Sequence, residues 1–158
     1  MRAPLVVITM AGHGRRFRAA GFDCPKWRIQ AAGRSLFDWS IASLASYIAA
    51  GSPFVFVTRA EEDAGDFVRC AAAGAGVATI RVVELDADTD GQATTALLGV
   101  RAAGQPDRPV VIFNIDTHVR PGCLALPAPG ADGWIPCFRA QEPKWSFVRT
   151  GPHGQALE

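Results

Sequence analysis

The stretch Met10-Ala11-Gly12-His13-Gly14-Arg15-Arg16-Phe17 sets two glycines one residue apart, ahead of two arginines, and Pro25-Lys26 follows soon after. Glycine lets a backbone approach a ligand closely and turn its N–H groups inward, while arginine offers paired donors that match phosphate oxygens. Glycines followed by cations at this spacing therefore suit a phosphate-bearing ligand. A tight turn without any ligand would use the same glycines. The stretch is not a P-loop, because G-x-x-x-x-G-K-[ST] is absent, and Phe17 stands where the third glycine of a G-x-G-x-x-G fingerprint would be.

Asp116 adds a carboxylate just past a strand-like run. A carboxylate beside bound phosphate is unfavourable unless a hard cation bridges the two, and Mg²⁺ commonly binds through one or two carboxylates plus substrate phosphates. Asp116 is the candidate Mg²⁺ ligand on this reasoning. Arg16 and Lys26 are the candidate catalytic cations that offset phosphate charge, and Ala11, Gly12 and Gly14 lie in the candidate phosphate-binding loop. The reaction class implied is phosphoryl or nucleotidyl transfer, where positioning and electrostatics carry most of the catalysis. Asp116 has the plainer reading of a turn or cap residue. His118 is either a second ligand or a surface histidine, and His13 and His153 have no evident partners. Gln92, at the start of a small-residue helix, can make paired hydrogen bonds to a nucleobase, or that helix can simply pack close to a sheet. Trp145 is a candidate substrate-binding residue in a sugar pocket, or a core residue.

These residues need a frame that brings them together. The β-branched run 5–8 reads as a parallel strand covered on both faces. A helix over 36–48 follows, with Ser35 as N-cap and Asp38 in the capping-box position. Strands are expected at 53–58, 79–85 and 109–114, with helices over 61–73 and 92–103 between them. Alternating strands and helices predict an α/β fold, a doubly wound, Rossmann-like, mostly parallel sheet. If its strand order is 3-2-1-4, the Gly loop and Asp116 meet at the switch point on the carboxyl edge, where such sheets bind ligands. After Pro121 the texture changes, and strand-like pieces at 133–139 and 145–150 suggest that the C-terminal part turns to a mixed sheet. The whole of 1–158 reads as one domain. Its ending reads as cut short, because a Gly-Pro…His-Gly turn at 151–154 should lead into another strand.

Composition sets the outer bounds. At 158 residues, with 49% hydrophobic and 20% charged residues, the chain is globular. A net charge of +1 argues against a nucleic-acid partner, which would demand a basic face. The four cysteines, Cys24, Cys70, Cys123 and Cys137, form no C-x-x-C pair, which suits reduced thiols in the cytoplasm. No apolar run approaches the roughly 20 residues needed to cross a membrane, so no membrane partner is expected. The sequence leaves a homo-oligomer open.

With these residues assembled, the chain resembles the sugar-1-phosphate nucleotidyltransferases, also called nucleoside-diphosphate-sugar pyrophosphorylases. Residues 10–17 with Pro25-Lys26 are similar to that family's N-terminal motif, 91–96 to its base-recognition segment, and Asn114-Ile115-Asp116 to the site of its first metal-binding aspartate. Residues 142–148 resemble a stretch seen in some members. The resemblance implies that a sugar 1-phosphate attacks the α-phosphate of a nucleoside triphosphate and releases pyrophosphate, a step in nucleotide-sugar biosynthesis. It further implies a nucleotide-binding role for Ala11, Gly12 and Gly14, with Arg16 at the departing pyrophosphate, Lys26 on the phosphates, Gln92 at the base and Asp116 on Mg²⁺. Departures are Arg15 in place of Ser or Thr, Trp27-Arg28 in place of a small or apolar pair, and a sugar-binding Glu-Lys pair and second metal aspartate that fall beyond residue 158. The competing expectations are an A-type-fold glycosyltransferase with a nucleotide-sugar donor and an Asp116-x-His118 metal motif, and a non-catalytic nucleotide-binding module.

Overall fold

The computed structural model describes residues 2–126, 130, 132–143 and 145–157. The chain divides into two compact units, Met1–Ala125 and Leu126–Glu158.

The first unit is built on β1, Leu5–Thr9 (LVVIT), whose residues are all buried. A strand covered on both faces needs apolar side chains in succession, and β1 supplies them. It pairs in parallel with β4, Phe54–Arg59, on one side and with β6, Val110–Asn114, on the other. Beyond β4 lies β5, Ile80–Leu85, also parallel, so the order is β5-β4-β1-β6. This is the 3-2-1-4 order on which the sequence argument for the site depends.

Side chains alternate between the faces. Val6, Ile8, Phe54 and Phe56 pack on one face with Phe37 and Ile41 of α2 (Leu36–Ala42), Tyr47 of α3 (Ala45–Ala49), and Val68 and Ala72 of α4 (Gly65–Gly74). Leu5, Val7, Val55 and Val57 pack on the other with Ala96 of α5, Gln92–Ala103. Gly99 lets α5 come close, since a Cβ there would lie 2.7 Å from Val57 Cγ2 and 2.9 Å from Val7 Cγ1.

Several local expectations change. The expected helix over 36–48 is two helices, α2 and α3. Ser43 sits at the break with its hydroxyl donating to Trp39 O at 3.0 Å and accepting from Val119 N at 2.9 Å. The capping box holds as expected, with Asp38 N on Ser35 Oγ at 3.0 Å and Ser35 N on Asp38 Oδ2 at 3.2 Å. The expected helix over 61–73 starts later, at Gly65, after a 3₁₀ turn Ala60–Glu62 that leaves Asp63 at φ 43. Residues 28–33 resolve into the end of a second 3₁₀ turn, Lys26–Arg28, and a small antiparallel ladder of β2 (Gln30–Ala31) with β3 (Arg34–Ser35).

In the second unit, the expected strands 133–139 and 145–150 do not form among the described residues. A strand persists only where a neighbour accepts its N–H groups and donates in return. The pairing present is one antiparallel bridge, Thr150 to Ala156, beside Gly151 N on Gln155 O at 2.9 Å. Lys144, within the stretch 142–148 of the sequence reading, and the last residue, Glu158, lie outside the described residues. Among the described residues, no helix is long and apolar enough to cross a membrane.

Candidate active site

A cleft of about 410 Å³ opens at the carboxyl edge of the sheet, in the first unit. Ala11, Gly12, Arg15, Arg16, Lys26, Gln92 and Asp116 all line it. Residues far apart in the chain thus converge because four parallel strands deliver their following loops to one edge.

The Gly loop leaves β1 at Met10, whose N–H bonds Val57 O at 2.8 Å. What was read as continuous loop contains one helical turn, α1, Arg15–Ala19. Gly14 caps it at φ 62, a left-handed conformation that glycine adopts without a Cβ penalty. A Cβ at Gly12 would lie 3.7 Å from Lys26 Nζ, an ordinary contact, so packing within the protein does not demand glycine there. Arg15 and Arg16 are exposed at the mouth and form no ion pair among the described residues.

Lys26 is carried by the 3₁₀ turn that Pro25 opens, with Arg28 N on Pro25 O at 2.9 Å. Trp27 fixes this turn in the core. It is 1% exposed, lies 4.7 Å from the Phe67 ring, and has the Arg28 guanidinium 4.8 Å above it. The Trp27-Arg28 pair that departed from the resembled motif is therefore an anchor for Lys26. Lys26 Nζ then donates to Asp116 Oδ2 at 3.1 Å, the side chains being 14% and 29% exposed.

Gln92 opens α5, whose first N–H groups have no partner within the helix. Its Nε2 donates to Thr9 Oγ1 at 3.2 Å and to Asn114 Oδ1, and Thr9 Oγ1 donates to Asn114 Oδ1 at 3.3 Å. Thr9 and Asn114 end β1 and β6 and form the floor of the cleft. Sequence reasoning had given neither a role of its own, although each is a polar residue ending an apolar strand.

His13 also lines the cleft and is not without partners, as the sequence suggested. Its Nε2 lies 2.8 Å from Asp88 Oδ2 and its Nδ1 2.5 Å from Arg59 Nη1. His118 is exposed, with Nδ1 donating to Trp39 O at 3.0 Å and its ring against the indole at 4.9 Å. Trp145 belongs to the second unit, where it meets Phe138 edge-on at 5.1 Å.

The four-stranded parallel sheet with its carboxyl-edge cleft defines a Rossmann-like fold of the nucleotidyltransferase type. Among solved structures, the chain is similar to the nucleoside-diphosphate-sugar pyrophosphorylase from Vibrio cholerae RC9, at 36% identity and a TM-score of 0.83, over 95% of this chain and 63% of that one. The resemblance read from the sequence motifs is borne out by that likeness. The chain spans less than two thirds of that relative's length. The inositol-1-phosphate CTP transferase from T. maritima matches at 22% identity and a TM-score of 0.54, over 73% of this chain and 44% of that one, a likeness of fold. No family model matches, and no curated protein matches.

Proposed function

We propose that the chain carries the site of a nucleotidyltransferase, which joins a nucleoside triphosphate to a sugar 1-phosphate or a similar phosphate and releases pyrophosphate. The observation that carries this reading is the Lys26–Asp116 pair, 3.1 Å apart inside a cleft lined by Gly12 and rimmed by two arginines.

In the reaction, an oxygen of the sugar 1-phosphate forms a bond to the α-phosphorus. The bond from that phosphorus to the oxygen bridging to the β-phosphate breaks, and the electron pair leaves with pyrophosphate. Arg16, at the rim, offsets the charge that grows on the leaving group. Lys26 donates to phosphate oxygens, Ala11, Gly12 and Gly14 lie against the nucleotide, and Gln92 meets the base. The freedom of Gly12 from steric demand within the protein supports close approach of a ligand there.

Mg²⁺ dependence belongs to the same proposal. Asp116 offers a hard carboxylate oxygen on the cleft wall, and no group of three or more His, Cys, Asp or Glu suited to a metal occurs among the described residues. That donor set fits an ion completed by substrate phosphates and water. When bound, Mg²⁺ supplies Lewis-acid charge to phosphate oxygens. Trp145 is proposed as a sugar contact. A cytoplasmic setting is proposed too, supported by four free, exposed cysteines.

The test incubates the protein with Mg²⁺, each triphosphate and a panel of sugar 1-phosphates, and follows pyrophosphate. Release that falls by about 10²-fold or more in Lys26→Ala and Asp116→Ala supports the proposal. Turnover of a nucleotide sugar with an acceptor, and none with triphosphate, replaces it with a glycosyltransferase. Saturable binding without turnover replaces it with a nucleotide-binding module.

A further inference from the structure

Arg59, the last residue of β4, carries a full charge at 4% exposure. A guanidinium is buried at high cost unless its donors are engaged. Those on its two Nη atoms reach separate parts of the chain, while the buried Nε has no hydrogen-bond partner among the described residues. Nη1 lies 2.5 Å from Glu61 Oε1 and faces His13 Nδ1 at the same distance, while Nη2 donates to Glu62 Oε1 at 2.7 Å. Two of these partners reach onward. Glu62 Oε2 accepts from Trp27 Nε1 at 3.1 Å, and His13 Nε2 lies 2.8 Å from Asp88 Oδ2.

The chemistry of guanidinium fixes the direction of these bonds. It has donors only, so His13 Nδ1 must accept with its lone pair. The ring proton is then on Nε2, where it donates to Asp88. A doubly protonated ring, or the other tautomer, would set two N–H groups against each other at Nδ1. Arg59 thus selects the tautomer that lets His13 join the Gly loop to the loop ahead of α5. Its other arm reaches Trp27 through Glu62, and Trp27 anchors the turn that carries Lys26.

We propose that Arg59 is a positioning residue of the cleft, setting the Gly loop through His13 and the Lys26 turn through Glu62 and Trp27. The catalytic part of this rests on the nucleotidyltransferase reading; the positioning of His13 and Trp27 does not. Lysine cannot replace the fork, because one ammonium point charge does not span partners on opposite sides of a planar group.

Nitrogen-15 NMR of histidine and indole groups tests the positioning without any ligand. In the wild type, His13 should show a protonated Nε2 and a bare Nδ1, and the Trp27 indole N–H should exchange slowly. In Arg59→Lys, His13 should become a mixture of tautomers and the Trp27 N–H should exchange at least about tenfold faster, while the far-UV circular dichroism spectrum is kept. In the pyrophosphate assay, the same variant should lose about 10-fold to 10²-fold in kcat with KM for triphosphate little changed, as expected for misplacement of groups near the reacting atoms. A wild-type His13 protonated at Nδ1 overturns the proposal, and this outcome needs no variant to fold. So does Arg59→Lys with wild-type His13 and Trp27 signals, or with displaced signals and wild-type kcat. If the wild type releases no pyrophosphate, the nucleotidyltransferase reading falls, and the NMR signals alone decide whether Arg59 positions the loops.

Discussion

Lys26 and Asp116 pair inside the cleft, and on the proposed function a bound phosphate would compete with Asp116 for the ammonium. With 14% and 29% exposure, the pair is partly screened by solvent, and its loss should cost little stability. Activity is where its removal should register. Arg15 is a different case, because it lines the cleft and is exposed. Arg15→Ser should raise KM for the triphosphate severalfold at low ionic strength, and the effect should shrink as salt is added, since exposed charges are screened over about 10 Å at 0.1 M. Steady-state kinetics at rising NaCl checks this; an effect independent of salt would assign Arg15 a packing role. At this scale the sequence was informative wherever a residue type announces its chemistry, as Arg16 and Lys26 do in the loop after β1 and Asp116 does just past β6. Arg59 and Asp88 gave no such signal, because their meaning comes from partners brought near only by the fold.

At the scale of elements, the parallel strands were legible from their apolar runs, nearly unbroken at 5–8, 53–58 and 109–114, while 79–85, the edge strand, carries Arg81 and Glu84 among its apolar residues. Helix α5 was legible to the residue, ending at Gly104 with φ 64. The division of 36–48 into α2 and α3 was not. Hydrophobic spacing continues across it, while the buried hydroxyls of Ser40 and Ser43 are recruited by the chain near β6, Ser40 Oγ donating to Asn114 O at 2.8 Å. Those bonds to a distant segment outweigh the local preference for one long helix. Gly99→Ala should destabilise the fold by about 1–3 kcal/mol, read as a lower urea midpoint at unchanged slope, because its Cβ has no room over Val7 and Val57. A neutral result would mean that α5 can lift from the sheet. Ser35→Ala should cost about 1 kcal/mol through loss of the N-cap.

At the scale of the whole molecule, alkaline pH probes the core through Tyr47, the only tyrosine in the chain. It is buried, its hydroxyl donates to Ala125 O at 3.1 Å, and burial raises its pKa above the ordinary 10.0. The folded state therefore keeps the proton to a higher pH than the unfolded chain does. Stability is unaffected by this group below about pH 10 and falls as pH rises from there through the folded value. Tyr47→Phe should remove that part of the decline, as followed by urea unfolding between pH 9 and pH 11, with tyrosinate absorbance reporting the single residue. An unchanged decline would place its origin elsewhere. The central claim, transfer of a nucleotidyl group onto a phosphate oxygen, is tested most directly by isotope. With a sugar 1-phosphate labelled with ¹⁸O in its phosphate, mass spectrometry should find all of the label in the nucleotide sugar, including the oxygen bridging its two phosphorus atoms, and none in pyrophosphate. Label in pyrophosphate, or no nucleotide sugar from any triphosphate, would contradict the account.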